Sequence, residues 1–221
     1  MKLFVSALVK FSLGFFILVV LLFASAGTFD FWQGWLLIVV LFAPMLLVGV
    51  VILLKKPELL KKRLQIKEKR KTQDVVVKCS GLMFVVGFVV AGLNRRFGWY
   101  TLPSYVSMLS ATLLLVAYAL YAEVMRENAY LSRTIEVSEG QKLVDSGLYA
   151  VVRHPMYAVT LLLFGVMPLV LGSIFAFLIF LVYPFLIVKR IQDEEKLLEE
   201  QLEGYDLYKK RVKYRLIPYI W

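Results

Sequence analysis

Two polar clusters stand about thirty residues apart in an otherwise apolar stretch of chain. The first is Gly147-Leu148-Tyr149-Ala150-Val151-Val152-Arg153-His154-Pro155-Met156-Tyr157, and it contains the protein's single histidine. The second is Arg190-Ile191-Gln192-Asp193-Glu194-Glu195. Each admits a bland reading by itself. Arg190 and Glu194 are four apart and share a helical face, the spacing of an ordinary structural ion pair, and an imidazole beside an arginine suits a lipid headgroup contact. Some chemistries are disfavoured outright. One His and one Cys leave too few donors for a metal centre. No Gly-x-Ser-x-Gly elbow supports a serine hydrolase, and no Gly-x-Gly-x-x-Gly or phosphate-binding loop is present to hold a dinucleotide or triphosphate.

The clusters become a site only if the chain between them folds back. Residues 158–188 contain 31 uncharged residues, interrupted by Gly165, Pro168, Gly172 and Pro184. That run is too long for one straight span and short for two, and predicts a helical hairpin with its tip near Pro168 to Ser173. The whole chain is 60% hydrophobic with a mean hydropathy of +0.74, outside the range of soluble domains. Segments 3–26, 32–54, 75–93 and 104–122 are each long enough to cross roughly 30 Å of hydrocarbon. The sequence therefore predicts an all-α integral membrane fold: four transmembrane helices, a C-terminal hairpin and a cytoplasmic amphipathic helix.

Charge placement predicts orientation. Residues 55–71 carry Lys55, Lys56, Lys61, Lys62, Arg63, Lys67, Lys69, Arg70 and Lys71, whereas the turn near Asp30 has no basic residue and the turn at 94–103 only Arg95 and Arg96. Positive loops stay cytoplasmic, which puts both termini and the stretch 123–157 on the cytoplasmic side. The net charge of +10 is then a topology signal and an attraction to anionic headgroups, and no nucleic-acid module accompanies it. Ala24-Ser25-Ala26 resembles a leader cleavage site, but the long apolar stretch and the Lys10 inside it favour a retained anchor. In the basic loop, Pro57 suits a first helical turn; the favoured reading is a solvated basic loop that enforces topology, and the alternative lays Leu59, Leu60 and Leu64 on the bilayer. Thr134 to Val144 suit an irregular connection. Ile191, Leu198, Leu202 and Tyr205 recur at helical spacing, and Gly204 is expected to end the first half of that helix. The expected organisation is a transmembrane domain over 1–190 and a cytoplasmic cap over 191–221, with the site built from about 134–157 and 190–212.

The ordered constellation Gly147-x-Tyr149, Arg153-His154-Pro155-x-Tyr157, apolar hairpin, Arg190-x-x-x-Glu194-Glu195-x-x-Leu198, Gly204-x-x-x-Tyr208-Lys209-Lys210-Arg211-Val212 and Ile217-Pro218 resembles the isoprenylcysteine carboxyl methyltransferases and the related phospholipid methyltransferases. The resemblance covers about residues 134–218. It departs from the family at Val159, where a glycine is usual. It implies an integral-membrane enzyme that uses S-adenosylmethionine. On that implication Gln141, Lys142, Leu143, Val144 and Tyr149 line the cofactor, and His154, Pro155, Met156 and Tyr157 complete the wall. Glu194 then holds the cofactor's methionine portion and Arg190 faces the acceptor.

Those implied roles suit the residue types. A carboxylate pairs with a cationic amino group and a sulfonium, and an arginine can orient a carboxylate acceptor through two parallel hydrogen bonds. A carboxylate acceptor is already ionised near neutral pH and needs no base. An amine acceptor needs one, and His154 or Glu195 would be the candidates. The leading expectation is methyl esterification of a lipid-like or prenylated acceptor, with membrane lipids as surroundings and no metal. Phospholipid amine methylation, a sterol-reductase type of enzyme and a non-enzymatic transporter or scaffold are the alternatives.

Overall fold

The computed structural model describes residues 2–64, 71–132, 134–135, 137 and 140–221. Lys67, Lys69 and Arg70 of the basic loop lie outside the described residues. Nine α-helices occur among the described residues: α1 Lys2–Ala26, α2 Trp32–Lys55, α3 Pro57–Arg63, α4 Lys71–Phe97, α5 Ser104–Glu127, α6 Pro155–Val170, α7 Ile174–Phe180, α8 Tyr183–Gln201 and α9 Tyr205–Arg211. No strand accompanies them there beyond a single bridge between Thr101 and Ser173. Long runs of Leu, Val, Phe and Ala take this form because, in hydrocarbon, a helix satisfies every backbone polar group within its own segment.

Among the described residues, five runs are long and apolar enough to cross a membrane: Leu3–Ala26, Trp32–Lys55, Gln73–Phe97, Ser104–Glu127 and Ile174–Gln201. Their outer faces stay apolar, with Leu47, Leu54, Leu82, Leu109 and Phe185 among many exposed large side chains. This is a multi-pass membrane protein. The first four runs cover the four expected spans, three of them running longer, one by a single residue. The fifth joins α7 and α8 across a short break at Leu181 and Val182, so α8 passes without interruption through residue 190.

Within the bundle α5 packs along α6 and α1 along α4, while α4 also meets α7 and α8. Close approach needs small residues. Gly92 lies against Ser25, and Gly87 against the ring of Phe180. Ala26 is buried, and Lys10 satisfies its charge inside α1 by donating to the Leu64 carbonyl. After α6 the chain reverses at Leu171-Gly172-Ser173, within the expected tip. The Ser173 hydroxyl caps α7 by accepting from Ala176 N, and the Gly172 carbonyl accepts from Leu102 N at 2.9 Å. At 1.5 Å per residue, α6 rises about 24 Å and the path from Ile174 to Arg190 about the same. The two polar clusters therefore reach one level.

The basic loop departs from expectation. Pro57 does start α3, but Leu59 is only 2% exposed. It packs with Val124, Met125, Tyr149, Met156 and Val159 instead of lying on the bilayer. Hydrophobicity alone cannot separate a leucine that faces lipid from one that faces a neighbouring helix. Nor is the loop simply solvated. Lys56 caps α5 by donating to the Arg126 carbonyl at 3.0 Å, and Arg63 turns inward over the Tyr121 ring.

Candidate functional site

The first cluster is shaped by a glycine. Gly147 has φ +57°, and a Cβ there would collide with the Glu127 carboxylate. That carboxylate accepts from Leu148 N at 2.9 and 3.1 Å. It thereby holds the short 3-10 turn Gly147–Ala150, which delivers Tyr149. The Tyr149 hydroxyl accepts from Asn128 Nδ2 at 3.1 Å, and its carbonyl accepts from the Tyr208 hydroxyl at 2.7 Å. Pro155 occupies the first turn of α6, with His154 as the residue before it. Pro155 has no N–H to leave unpaired at that position.

Glu195 organises the charge beneath the site. Its Oε1 accepts from Arg153 Nε at 2.7 Å and lies 3.2 Å from His154 Nε2, and its Oε2 accepts from Arg215 Nε at 2.8 Å. Arg153 also donates to the carbonyls of Val212 and Lys213. The backbone N–H groups of Arg153 and His154 donate to Tyr214 O and Arg215 O. An ionised carboxylate only accepts, so His154 carries its proton on Nε2. The carboxylate of Glu195 is held by two guanidiniums and an imidazole, and is 3% exposed. It is a structural hub, and the expectation that it might serve as a base for an amine acceptor loses its footing. His154 is itself buried, not a headgroup contact.

The next residue along α8 faces a different way. The Tyr157 hydroxyl donates to Glu194 and accepts from Arg190 Nε at 3.0 Å. One phenol thus joins the two residues of the second cluster. Arg190 Nη1 also reaches Gln73 Oε1, from the first turn of α4, at 3.4 Å.

Tyr157, Arg190 and Glu194 line a cavity of about 380 Å³, within the roughly 300–1,000 Å³ usual for small-molecule sites. Gln141, Lys142, Leu143 and Val144 line it, as do Tyr149, His154, Met156 and Tyr157, and Arg190 and Glu194 from α8. Pro155 does not, because its ring is committed to the helix start. Val159, at the position of the family glycine, points its side chain into the Leu59 cluster and is absent from the lining. Sequence reasoning missed Arg63, Asn128, Tyr205 and Tyr208, which also line the cavity. The last two had a weak signal in the Gly204-x-x-x-Tyr208 spacing, where Gly204 takes φ +81° to start α9.

The donor set fits an S-adenosylmethionine-sized ligand with a cationic end and an aromatic end. Glu194 offers a carboxylate and the tyrosines offer ring faces. The buried Tyr205 hydroxyl has no hydrogen-bond partner, an unsatisfied group that a ligand oxygen or nitrogen would complete. Burial pushes the Tyr149, Tyr205 and Tyr208 phenols well above their ordinary value, so all three remain neutral donors at physiological pH.

Comparison with known proteins points the same way as the motifs. Residues 108–200 match the model of the isoprenylcysteine carboxyl methyltransferase (ICMT) family, less than half of the chain but inclusive of both polar clusters. The match supports a membrane methyltransferase. A Delta(14)-sterol reductase of Mus musculus is 34% identical over 91 residues, 40% of this chain and 22% of that protein. The chain thus spans about a fifth of the length of the curated relative that it matches.

Proposed function

We propose that this protein is an S-adenosylmethionine-dependent methyltransferase that esterifies the carboxylate of a lipid-like amphiphile, of which a prenylated cysteine is one example. The observation that carries the reading is the Tyr157 hydroxyl, hydrogen-bonded at once to Glu194 and Arg190 in the wall of one cavity. An anion for the donor's cationic portion and a cation for the acceptor's carboxylate thereby sit one side chain apart. In this reading residues 1–190 form the membrane domain, 158–188 its hairpin, and 191–221 a cap. The nine basic residues at 55–71 support a cytoplasmic site and termini.

S-adenosylmethionine, when bound, supplies a methyl group on a positively charged sulfur. Glu194 holds the ammonium of its methionine portion, while Gln141, Lys142, Leu143, Val144, Tyr149, His154, Met156 and Tyr157 enclose the rest. Arg190 would hold the acceptor carboxylate beside the bound cofactor through its guanidinium. The remaining contribution is positional: two reactants held close and water kept out. Opposite charges meet and disappear in this transfer, so the apolar walls at Ile187, Leu197 and Leu198 favour it by withholding solvation from the reactants. No residue has to remove a proton.

Calorimetric titration of the detergent-purified protein with S-adenosylhomocysteine tests the reading. Saturable binding is expected, weakened about tenfold or more by Glu194→Gln, which removes a charge-assisted contact. Equal affinity in the two proteins would take Glu194 out of the cofactor role. The sterol reductase match supports a second reading, a reductase with a nicotinamide cofactor. That dinucleotide has nearly twice the bulk of S-adenosylmethionine, which the cavity suits less well. Binding of NADPH in place of S-adenosylhomocysteine would favour the reductase, and binding of neither a scaffold.

A further inference from the structure

Gln73 stands in the first turn of α4 with no exposed surface, more than seventy residues before the first polar cluster and more than a hundred before the second. We propose that Gln73 is the positioning residue that sets the plane of Arg190 for the acceptor carboxylate, an inference that rests on the methyltransferase reading. Its side-chain amide bridges two neighbours on α8. Nε2 donates to Asp193 Oδ2 at 2.7 Å, and Oε1 accepts from Arg190 Nη1 at 3.4 Å. A carboxylate can only accept, so Asp193 fixes which end of the amide is which. The nitrogen must face Asp193 and the oxygen must therefore face Arg190. Asp193 is itself held by Lys189 Nζ at 3.2 Å.

The guanidinium is consequently pinned at two points by two helices. Tyr157 on α6 takes Nε, and Gln73 on α4 takes Nη1. Two fixed nitrogens, with the tethered Cδ as a third atom in the same plane, define the orientation of a rigid, planar group. Bidentate recognition of a carboxylate depends on that plane, since both N–H···O bonds must lie in it. An arginine left to rotate would lose the freedom of several bonds each time it bound the acceptor. Burying a polar glutamine where an apolar side chain would pack α4 against α8 is otherwise unfavourable, and its two partners explain its presence.

The test uses the intact protein in detergent, N-acetyl-S-farnesylcysteine as the carboxylate probe, and S-adenosylhomocysteine as the cofactor-site ligand. Gln73→Glu keeps the size of the side chain but sets an acceptor against Asp193, and Gln73→Leu removes both bonds. Each is expected to raise the probe's KM about tenfold, with kcat reduced less and S-adenosylhomocysteine affinity within about twofold of the parent. Adding Asp193→Asn to Gln73→Glu restores a donor opposite an acceptor, and is expected to recover most of the KM. A packing role alone would leave Gln73→Glu at the parental KM, and that result overturns the proposal. So does a parallel loss of S-adenosylhomocysteine affinity, or a parent that binds this ligand yet methylates no probe. A parent that binds no S-adenosylhomocysteine overturns the methyltransferase reading together with the role of Gln73.

Discussion

The two ends of the helical bundle are built on opposite principles. At one end the turns after α1, α4 and α6 are closed by backbone: Gly172 O meets Leu102 N, Thr101 bridges Ser173, and one ion pair, Asp30 with Arg95, lies largely in the open at 3.0 Å. At the other end Arg153, His154 and Glu195 are each under 10% exposed, and a cavity adjoins them. Burying charge carries a large desolvation penalty, and buried ion pairs seldom add net stability. A membrane protein gains nothing at its tip by such an arrangement and does not use one there. The contrast teaches that the buried charges serve the shape of the cavity and not the cohesion of the bundle.

The sharpest way to break this contrast is Glu195→Leu. It strands two guanidiniums, and is expected to destabilise the protein by about 3–5 kcal/mol, read as a lowered thermal unfolding midpoint in detergent. A midpoint equal to the parent's would mean that Arg153 and Arg215 are solvated after all. Arg190→Ala on the same helix should do the reverse. S-adenosylhomocysteine affinity and the unfolding midpoint stay near parental values while methyl transfer falls about a hundredfold, some 2.7 kcal/mol; transfer at the parental rate would remove Arg190 from the acceptor site. Gly147→Ala forces a left-handed backbone on a residue with a Cβ and displaces Glu127, for a loss of about 1–3 kcal/mol confined to the polar end. Unchanged cofactor affinity in that variant would separate Gly147 from the site. At the opposite end, Asp30→Asn is expected to shift stability by less than about 1 kcal/mol. An effect matching that of Glu195→Leu would erase the distinction between the ends.

Much of the fold was legible because membrane spans are written in uninterrupted apolar length, and the reversal at Leu171-Gly172-Ser173 in Gly and Pro spacing. The second cluster was legible as a constellation, since Arg190 and Glu194 recur in a fixed order with His154 and Tyr157. What escaped was partnership. Glu194 and Glu195 are adjacent identical residues, and nothing in the sequence says that one faces a cavity while the other is locked to two guanidiniums and an imidazole. Gln73 belongs to a helix more than a hundred residues upstream, and a lone glutamine at the head of an apolar run has no periodicity to betray it. Leu59 was read as part of a solvated loop, or else as a lipid contact, because an apolar side chain advertises only that it avoids water and not which neighbour covers it. Arg63 was counted as one more positive charge in a loop, when its reach to Tyr121 brings it to the cavity wall.

The segment Val212 to Arg215 lies across the backbone of Arg153 and His154 and supplies four of their hydrogen-bond acceptors. Synthesis runs from the N-terminus, so Arg153 and His154 leave the ribosome some sixty residues before the segment that fixes them. The intervening chain is the reversal itself, α6 to α8, which has to enter the bilayer first. The cavity therefore cannot take its final form until α1 to α8 have all been synthesised. A nascent chain halted before Val212 would carry a complete bundle with an unlatched polar end.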